Sequence, residues 1–438
     1  MAHELTEIKI EQSHEYPESS GKEEVERPPH ASFLSCWTVL SKTAIGVGLL
    51  GLAAATAVCG WILGVILLII AGSSAMFTLH LINCMIMKLN RRHVSFYTVA
   101  DQFAPFTKWI VDAAILVKSL GVGTAYFQVY GNEMARFITQ IAPEVNEKMS
   151  YFTLRFLVIL LGLAIMIPIC FRKSIAKTAV INILGILGIA YIVIIGVVFT
   201  DPEYDGGYTS MGPTGSFISI ASKVPIFIFT FTAHQNMFLV GEDMKNRSQK
   251  NLDSVALLSQ LTGWCFFIPA LICPYVTYGS SVKSNFLESM SANPSIGSSV
   301  AVLMGGLALS VAEISAYPLQ LFPCRKSAMV LLSRGQELSV NKERKMRRIT
   351  TAVILLLSTA ISVCVQDLGV TLSLVGIIGS NTICFIMPSF LYCRAFDRSE
   401  KPVQWALSAI VCVISSLLLP ICFTAIVYTA VNGKTASK

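Results

Sequence analysis

The chain has 438 residues, of which 54% are hydrophobic and only 13% charged, with a mean hydropathy of +0.65. That charge fraction is about half the average of soluble proteins, and so much apolar surface argues against a soluble enzyme, a nucleic-acid binder or a secreted disulfide scaffold. The formal charge of +7 does not change this, because Lys and Arg in an integral membrane protein act chiefly as orientation signals.

Residues 1–31 carry Glu4, Glu7, Glu11, Glu15, Glu18, Glu23, Glu24 and Glu26, followed by Pro28 and Pro29. They read as a disordered acidic tail with no apolar core of the kind a cleavable signal needs. From residue 33 the chain becomes a string of about eleven apolar runs, at 33–58, 61–87, 109–140, 152–171, 178–200, 217–241, 254–279, 297–322, 348–366, 369–393 and 403–431. Each is long enough to cross about 30 Å of hydrocarbon as a helix. The runs do not alternate as barrel strands would, so the expected fold is an all-α integral membrane protein. Residues 432–438 form a short tail. Most of the twelve cysteines lie inside apolar runs and no CxxC pair occurs, so neither a metal site nor a disulfide framework is expected.

Placing the N-terminus in the cytoplasm collects Lys88, Arg91, Arg92, Arg172, Lys173, Lys245, Arg247 and Lys250 on inner connections. The stretch from Arg325 to Arg348, as well as Arg394, Arg398 and Lys401, joins them. The outer connections and helix ends keep few cations, among them Arg136 and Arg155, and one outer loop is acidic at Asp201, Glu203 and Asp205. This asymmetry is the positive-inside pattern.

The first run contains Lys42-Thr43-Ala44-Ile45-Gly46-Val47-Gly48-Leu49-Leu50-Gly51. Its glycines fit a small-residue packing seam, or an unwound point whose free N–H groups cradle an anion. The sixth run contains His234-Gln235-Asn236. Three strongly polar side chains in a row cannot all face one packed neighbour, which favours a discontinuous helix lining a cavity. These two runs open two five-helix sets, and interruptions at corresponding places in two halves point to a transporter site. On the third run Lys118 lies too deep to snorkel fully, leaving a functional cation or a structural ion pair, whereas Asp112 is expected near the inner interface in contact with water. Glu313 on the eighth run is a candidate proton-exchanging carboxyl or a partner for Lys42 or Lys118.

At these segments the chain resembles the amino acid/auxin permease family over residues 33–430. Gly46-Val47-Gly48-Leu49-Leu50-Gly51-Leu52 resembles the family's first-helix signature, and Ala233-His234-Gln235-Asn236-Met237-Phe238 its sixth-helix stretch. Tyr317-Pro318-Leu319-Gln320-Leu321-Phe322-Pro323-Cys324-Arg325 resembles the end of helix eight. Leu374-Val375-Gly376 and Met387-Pro388-Ser389 resemble helix ten. The resemblance implies eleven helices in a LeuT-like inverted repeat, with repeat one at 33–200, repeat two at 217–393 and an extra helix at 403–431. It implies amino acid transport by alternating access, with no enzymatic activity and no cofactor. The implied substrate contacts are Thr43, Ile45, Gly46, Val47, Gly48, Tyr126, Thr230, Phe231, His234 and Ser315.

Two positions depart from the pattern. Ala53 stands where family members often have Pro, so the bend in helix one rests on glycine alone. Lys42 stands where sodium-coupled relatives tend to carry uncharged polar residues, and a fixed ammonium there would repel a metal cation. Proton coupling or uniport is therefore expected over sodium coupling, with Lys42, Lys118 and Glu313 as the coupling residues. The third run resembles vacuolar-type members. The expected setting is the plasma membrane or a vacuole- or lysosome-like membrane. The competing reading is an amino-acid sensor that uses the same pocket without net transport.

Overall fold

Serine marks the start of many of the long helices. Ser32, Ser150, Ser216, Ser248 and Ser299 each accept a hydrogen bond from the backbone N–H three residues on, at 3.2–3.4 Å. Each cap satisfies a donor that a helix leaves orphaned at its first turn and contributes about 1 kcal/mol. The computed structural model describes residues 31–91, 93–171, 179–204, 212–336 and 338–432. The predicted tails at 1–31 and 432–438, apart from Ala31 and Asn432, and Arg92, Arg172, Lys173 and Asp205 among the expected orientation signals, lie outside them.

The described residues are almost entirely helical. In chain order they form α1 Phe33–Ala44, α2 Leu52–Cys59, α3 Trp61–Leu89, α4 Phe96–Phe103, α5 Lys108–Ile141, α6 Glu144–Lys148, α7 Tyr151–Cys170 and α8 Ala179–Val198. There follow α9 Phe217–Thr230, α10 His234–Asp243, α11 Gln249–Tyr278, α12 Phe286–Ala292, α13 Val300–Ser333, α14 Val340–Cys364, α15 Leu368–Leu374, α16 Met387–Ala395 and α17 Pro402–Asn432. Among the described residues 10 helical stretches are long and apolar enough to cross a membrane. The remaining expected span, 178–200, is occupied by α8, apolar over Gly185–Val198. The chain is a multi-pass membrane protein.

Burial sorts the spans. In the most apolar window of the first span, Phe33–Cys59, 78% of residues are buried, against 22% in Pro402–Asn432. The first span is therefore interior and α17 peripheral. Rows of exposed side chains such as Ile66, Ile69 and Ile70 on α3, Leu157 and Leu161 on α7, and Ile410 and Leu417 on α17 form apolar faces that only a hydrocarbon surround stabilises. The two 34-residue helices α5 and α13 pack along each other through the middle of the bundle.

Three differences from the sequence reading concern charge. Asp112 is buried, its Oδ1 accepting a hydrogen bond from Ser327 at 2.9 Å. Arg325 is not a loop residue: α13 continues to Ser333, and the Arg325 guanidinium donates to the Cys170 carbonyl and the Thr351 hydroxyl. Arg155 is buried in α7, where it donates to Asn132 Oδ1 and to the Ser362 carbonyl. In each case a charged side chain stays inside the bundle because neighbouring polar groups replace water.

Candidate functional site

The first span is interrupted where its glycines lie. α1 ends at Ala44, Ile45 caps it with its N–H on the Ser41 carbonyl, Gly46 is extended, and a 3-10 turn over Val47–Gly51 leads into α2. The first residues of that turn have no carbonyl one turn back to bond, so their N–H groups face outward from a positive helix end. Gly48 is required by packing: a Cβ there would lie 2.7 Å from Phe229 Cδ1 and 3.2 Å from Thr230 Cα. The two broken spans thus touch at Gly48.

The sixth span is interrupted between α9, ending at Thr230, and α10, starting at His234. The Thr230 hydroxyl donates to the Ile226 carbonyl at 2.7 Å and the Thr232 hydroxyl to the Ile228 carbonyl at 3.5 Å. The second of these, with the Thr232 N–H donating to the Phe229 carbonyl at 3.1 Å, satisfies part of the C-terminal carbonyl set of α9, and the negative end of the helix lies at the break. His234 is fully buried, with Nε2 2.9 Å from the Thr78 hydroxyl of α3. Asn236 donates to Thr43 Oγ1 at 2.6 Å, fastening α10 to α1.

Between the breaks lies a cavity of about 20 Å³ of water-accessible volume, lined by Thr43, Ala44, Gly46, Val47, Gly48, Lys118, Val122, Tyr126, Phe229, Thr232 and Gln320. It has room for about one water. Lys118, Val122 and Tyr126 follow one another at intervals of four residues, which puts them on one face of α5. The Tyr126 hydroxyl is close to Gly46, 3.9 Å from where a Cβ would stand.

Of the expected substrate contacts, Thr43, Gly46, Val47, Gly48 and Tyr126 line this cavity, as does Lys118. Ile45, Thr230, Phe231, His234 and Ser315 lie outside the lining. Phe231 packs edge-on against Trp264 and Phe267, and the Ser315 hydroxyl bonds back to the Ala312 carbonyl. Glu313 is buried with neither carboxyl oxygen hydrogen-bonded among the described residues. It makes no ion pair among the described residues; the cation whose field reaches it is Lys42, whose ammonium lies against Gly185 of α8. Val122, Phe229, Thr232 and Gln320 were not singled out by the sequence. For Gln320 a signal existed, since it follows Glu313 by seven residues and so shares its face of α13.

At the end of the bundle where α5 finishes, Glu133 accepts from Arg136 at 2.9 Å and from Asn285 at 2.7 Å. Arg136 also pairs with Glu288 at 3.2 Å, and Asn132 joins Glu288 to Arg155. At the opposite end, Asp253 of α11 holds His80 and Asn83 of α3, at 3.0 and 2.8 Å.

The family model described as transmembrane amino acid transporter protein matches residues 29–429. The chain belongs to this family. Among the relatives of this amino acid transporter, vacuolar amino acid transporter 5 of Schizosaccharomyces pombe is 28% identical over 379 residues, covering 86% of this chain and 87% of the relative. Vacuolar amino acid transporter 5 of Saccharomyces cerevisiae is 25% identical over 80% of this chain and 85% of its own. Sodium-coupled neutral amino acid transporter 7 of Homo sapiens is 25% identical, over 68% of this chain and 65% of its own. The family and these relatives are transporters, not enzymes.

Proposed function

We propose that the protein is a secondary active transporter that moves amino acids by alternating access, driven by protons. The observation that carries this reading is the meeting of two broken spans at one cavity, with the start of the 3-10 turn of the first and Phe229, next to the carbonyl end of α9, both in its wall. An amino acid zwitterion has the matching pair of charges, a carboxylate for the first and an ammonium for the second. Breaks in the first and sixth spans, with α17 peripheral, support a LeuT-like inverted repeat of 33–200 and 217–393 plus the extra helix 403–431.

Lys42 and Glu313 are the coupling pair in this reading. Lys42 supplies a tethered positive charge beside the first break, where a sodium-coupled carrier would hold a metal ion, and Glu313 is a buried carboxyl free to exchange a proton. One relative is named sodium-coupled, so the coupling ion is the point to test. The relatives named vacuolar support a vacuole-like membrane, and the basic connections support a cytoplasmic N-terminus. In that orientation the Glu133, Arg136 and Glu288 cluster closes the outer side.

The experiment is uptake of a labelled amino acid panel into proteoliposomes holding the purified protein, with a pH gradient imposed and sodium absent. Uptake driven by the pH gradient, and no longer driven by it in Glu313→Gln, is the expected result. A requirement for sodium at constant pH refutes proton coupling. Binding without translocation would identify a sensor instead.

A further inference from the structure

We propose that Lys118 selects the substrate side chain, and that the amino acids preferred by this site carry a side-chain oxygen, dicarboxylic amino acids foremost and their amides next. The proposal rests on the transport reading of the same cavity and names its substrate class. Lys118 is 2% exposed yet contributes to the cavity wall. Its ammonium donates to Gln320 Oε1 at 3.3 Å, a neutral acceptor, and none of the ion pairs among the described residues includes it. Glu313, the buried carboxyl of α13, has Lys42 as its cationic partner rather than Lys118. A buried ammonium held only by a neutral amide is stabilised by any anion that reaches it.

The backbone fixes where that charge stands. A Cβ on Gly379 would lie 2.5 Å from Lys118 Cβ and 2.7 Å from its Cα, so the tenth span presses directly on the root of this side chain. Gly379 belongs to a π-helical turn over Val375–Ser380, a geometry frequent at functional sites. Along α5 the backbones of Lys118 and Tyr126 are about 12 Å apart, and their polar tips are closer. Tyr126 stands beside Gly46 and the N–H groups offered to the α-carboxylate, while Lys118 stands at the other end of the stripe. The Gln320 amide lies between them, bonded to Lys118 and beside the Tyr126 hydroxyl. A substrate whose α-carboxylate occupies the first break therefore extends its side chain toward Lys118. An anionic or amide side chain finds a donor there. A cationic side chain meets a like charge in a water-poor site, which is strongly unfavourable.

The test compares labelled glutamate, glutamine, leucine and lysine on the full-length protein, by thermal stabilisation for binding and by proteoliposome uptake for transport. Glutamate is expected to bind at least about tenfold more tightly than leucine, a difference of about 1.4 kcal/mol, and lysine not to compete. In Lys118→Met the glutamate preference over leucine is expected to vanish while leucine binding persists. In Gln320→Glu the ammonium gains a resident counter-charge, and the same loss is expected with Lys118 still present, which covers the case in which Lys118→Met does not fold. The proposal is overturned if the unaltered protein prefers lysine or leucine, or if both variants keep the original glutamate-to-leucine ratio. It is equally overturned if both fold but lose all ligands in equal measure, since Lys118 would then serve the α-carboxylate or the fold. Glutamate that binds selectively but is never translocated would sink the transport reading and leave the role of Lys118 standing.

Discussion

The two interruptions of the membrane helices are made in different ways. The first is a glycine break, in which Gly46 and Gly48 leave backbone exposed and the side chains beside them are small or apolar. The second is held by polar side chains that lie outside the cavity lining and bond to neighbouring spans, His234 to Thr78 on α3 and Asn236 to Thr43 on α1. The contrast teaches that polarity inside a membrane helix does not by itself mark the ligand. Here His234 and Asn236 of the triplet tie one half-helix to its neighbours, and Gly46 and Gly48 face the cavity.

Substitutions can break or sharpen that contrast. The largest loss of stability is expected from Gly48→Val, because the added carbons collide with Phe229 and with the Thr230 backbone. Overpacking costs about 1–3 kcal/mol where neighbours can yield and more where they cannot; with backbone against it, this change should exceed the losses below. Folded protein recovered by size-exclusion chromatography should fall sharply. His234→Ala comes next, since it removes a fully buried ring and its bond to Thr78. A loss of about 2–4 kcal/mol is expected from the void and the lost hydrogen bond, read as a lower thermal midpoint. The folded fraction should still bind its substrate within about threefold, a factor worth less than 1 kcal/mol. A much larger loss of affinity than of stability would mean that the triplet touches the ligand and would erase the contrast.

Thr43→Val leaves the Asn236 amide without its Thr43 acceptor, at a cost of about 1–2 kcal/mol. Because this bond ties α10 to α1, denaturation should report the loss, and Asn236→Leu in the same background should recover part of it. The smallest change in stability is expected from Gly46→Ala. Its φ of −139° suits any residue, and the new methyl would come no closer than 3.9 Å to the Tyr126 hydroxyl. Stability should move by less than about 1 kcal/mol, whereas KM should rise about tenfold or more because the methyl fills a cavity with room for about one water. The pair Gly48→Val and Gly46→Ala thus separates a glycine needed for packing from one needed for binding.

Much of the fold was legible because the hydrocarbon environment leaves few solutions. Long uncharged runs have to be helices, and their positions in the chain match the observed spans closely. The ends were less legible. Asp112, Arg155 and Arg325 have the composition of interfacial residues, yet each is buried against polar groups contributed by distant helices. No local pattern reports such partners. At the candidate site the glycine run of the first span and Tyr126 could be singled out, whereas Val122 and Phe229 look like any other lipid-facing or core residue. Their place on the wall follows from how α5 and α9 rotate in the bundle, which pairwise packing decides.

The tightness of the cavity has a consequence for how binding will be measured. A pocket with space for a single solvent molecule receives cargo only when the bundle parts, so the observed Kd is the intrinsic one divided by the share of molecules that are open at any moment. Remote changes at the Glu133, Arg136 and Glu288 cluster can then strengthen or weaken apparent affinity by altering that share alone. Occupancy and shape are linked in this way, and a ligand that wedges the halves apart without allowing them to close again would bind well and travel poorly.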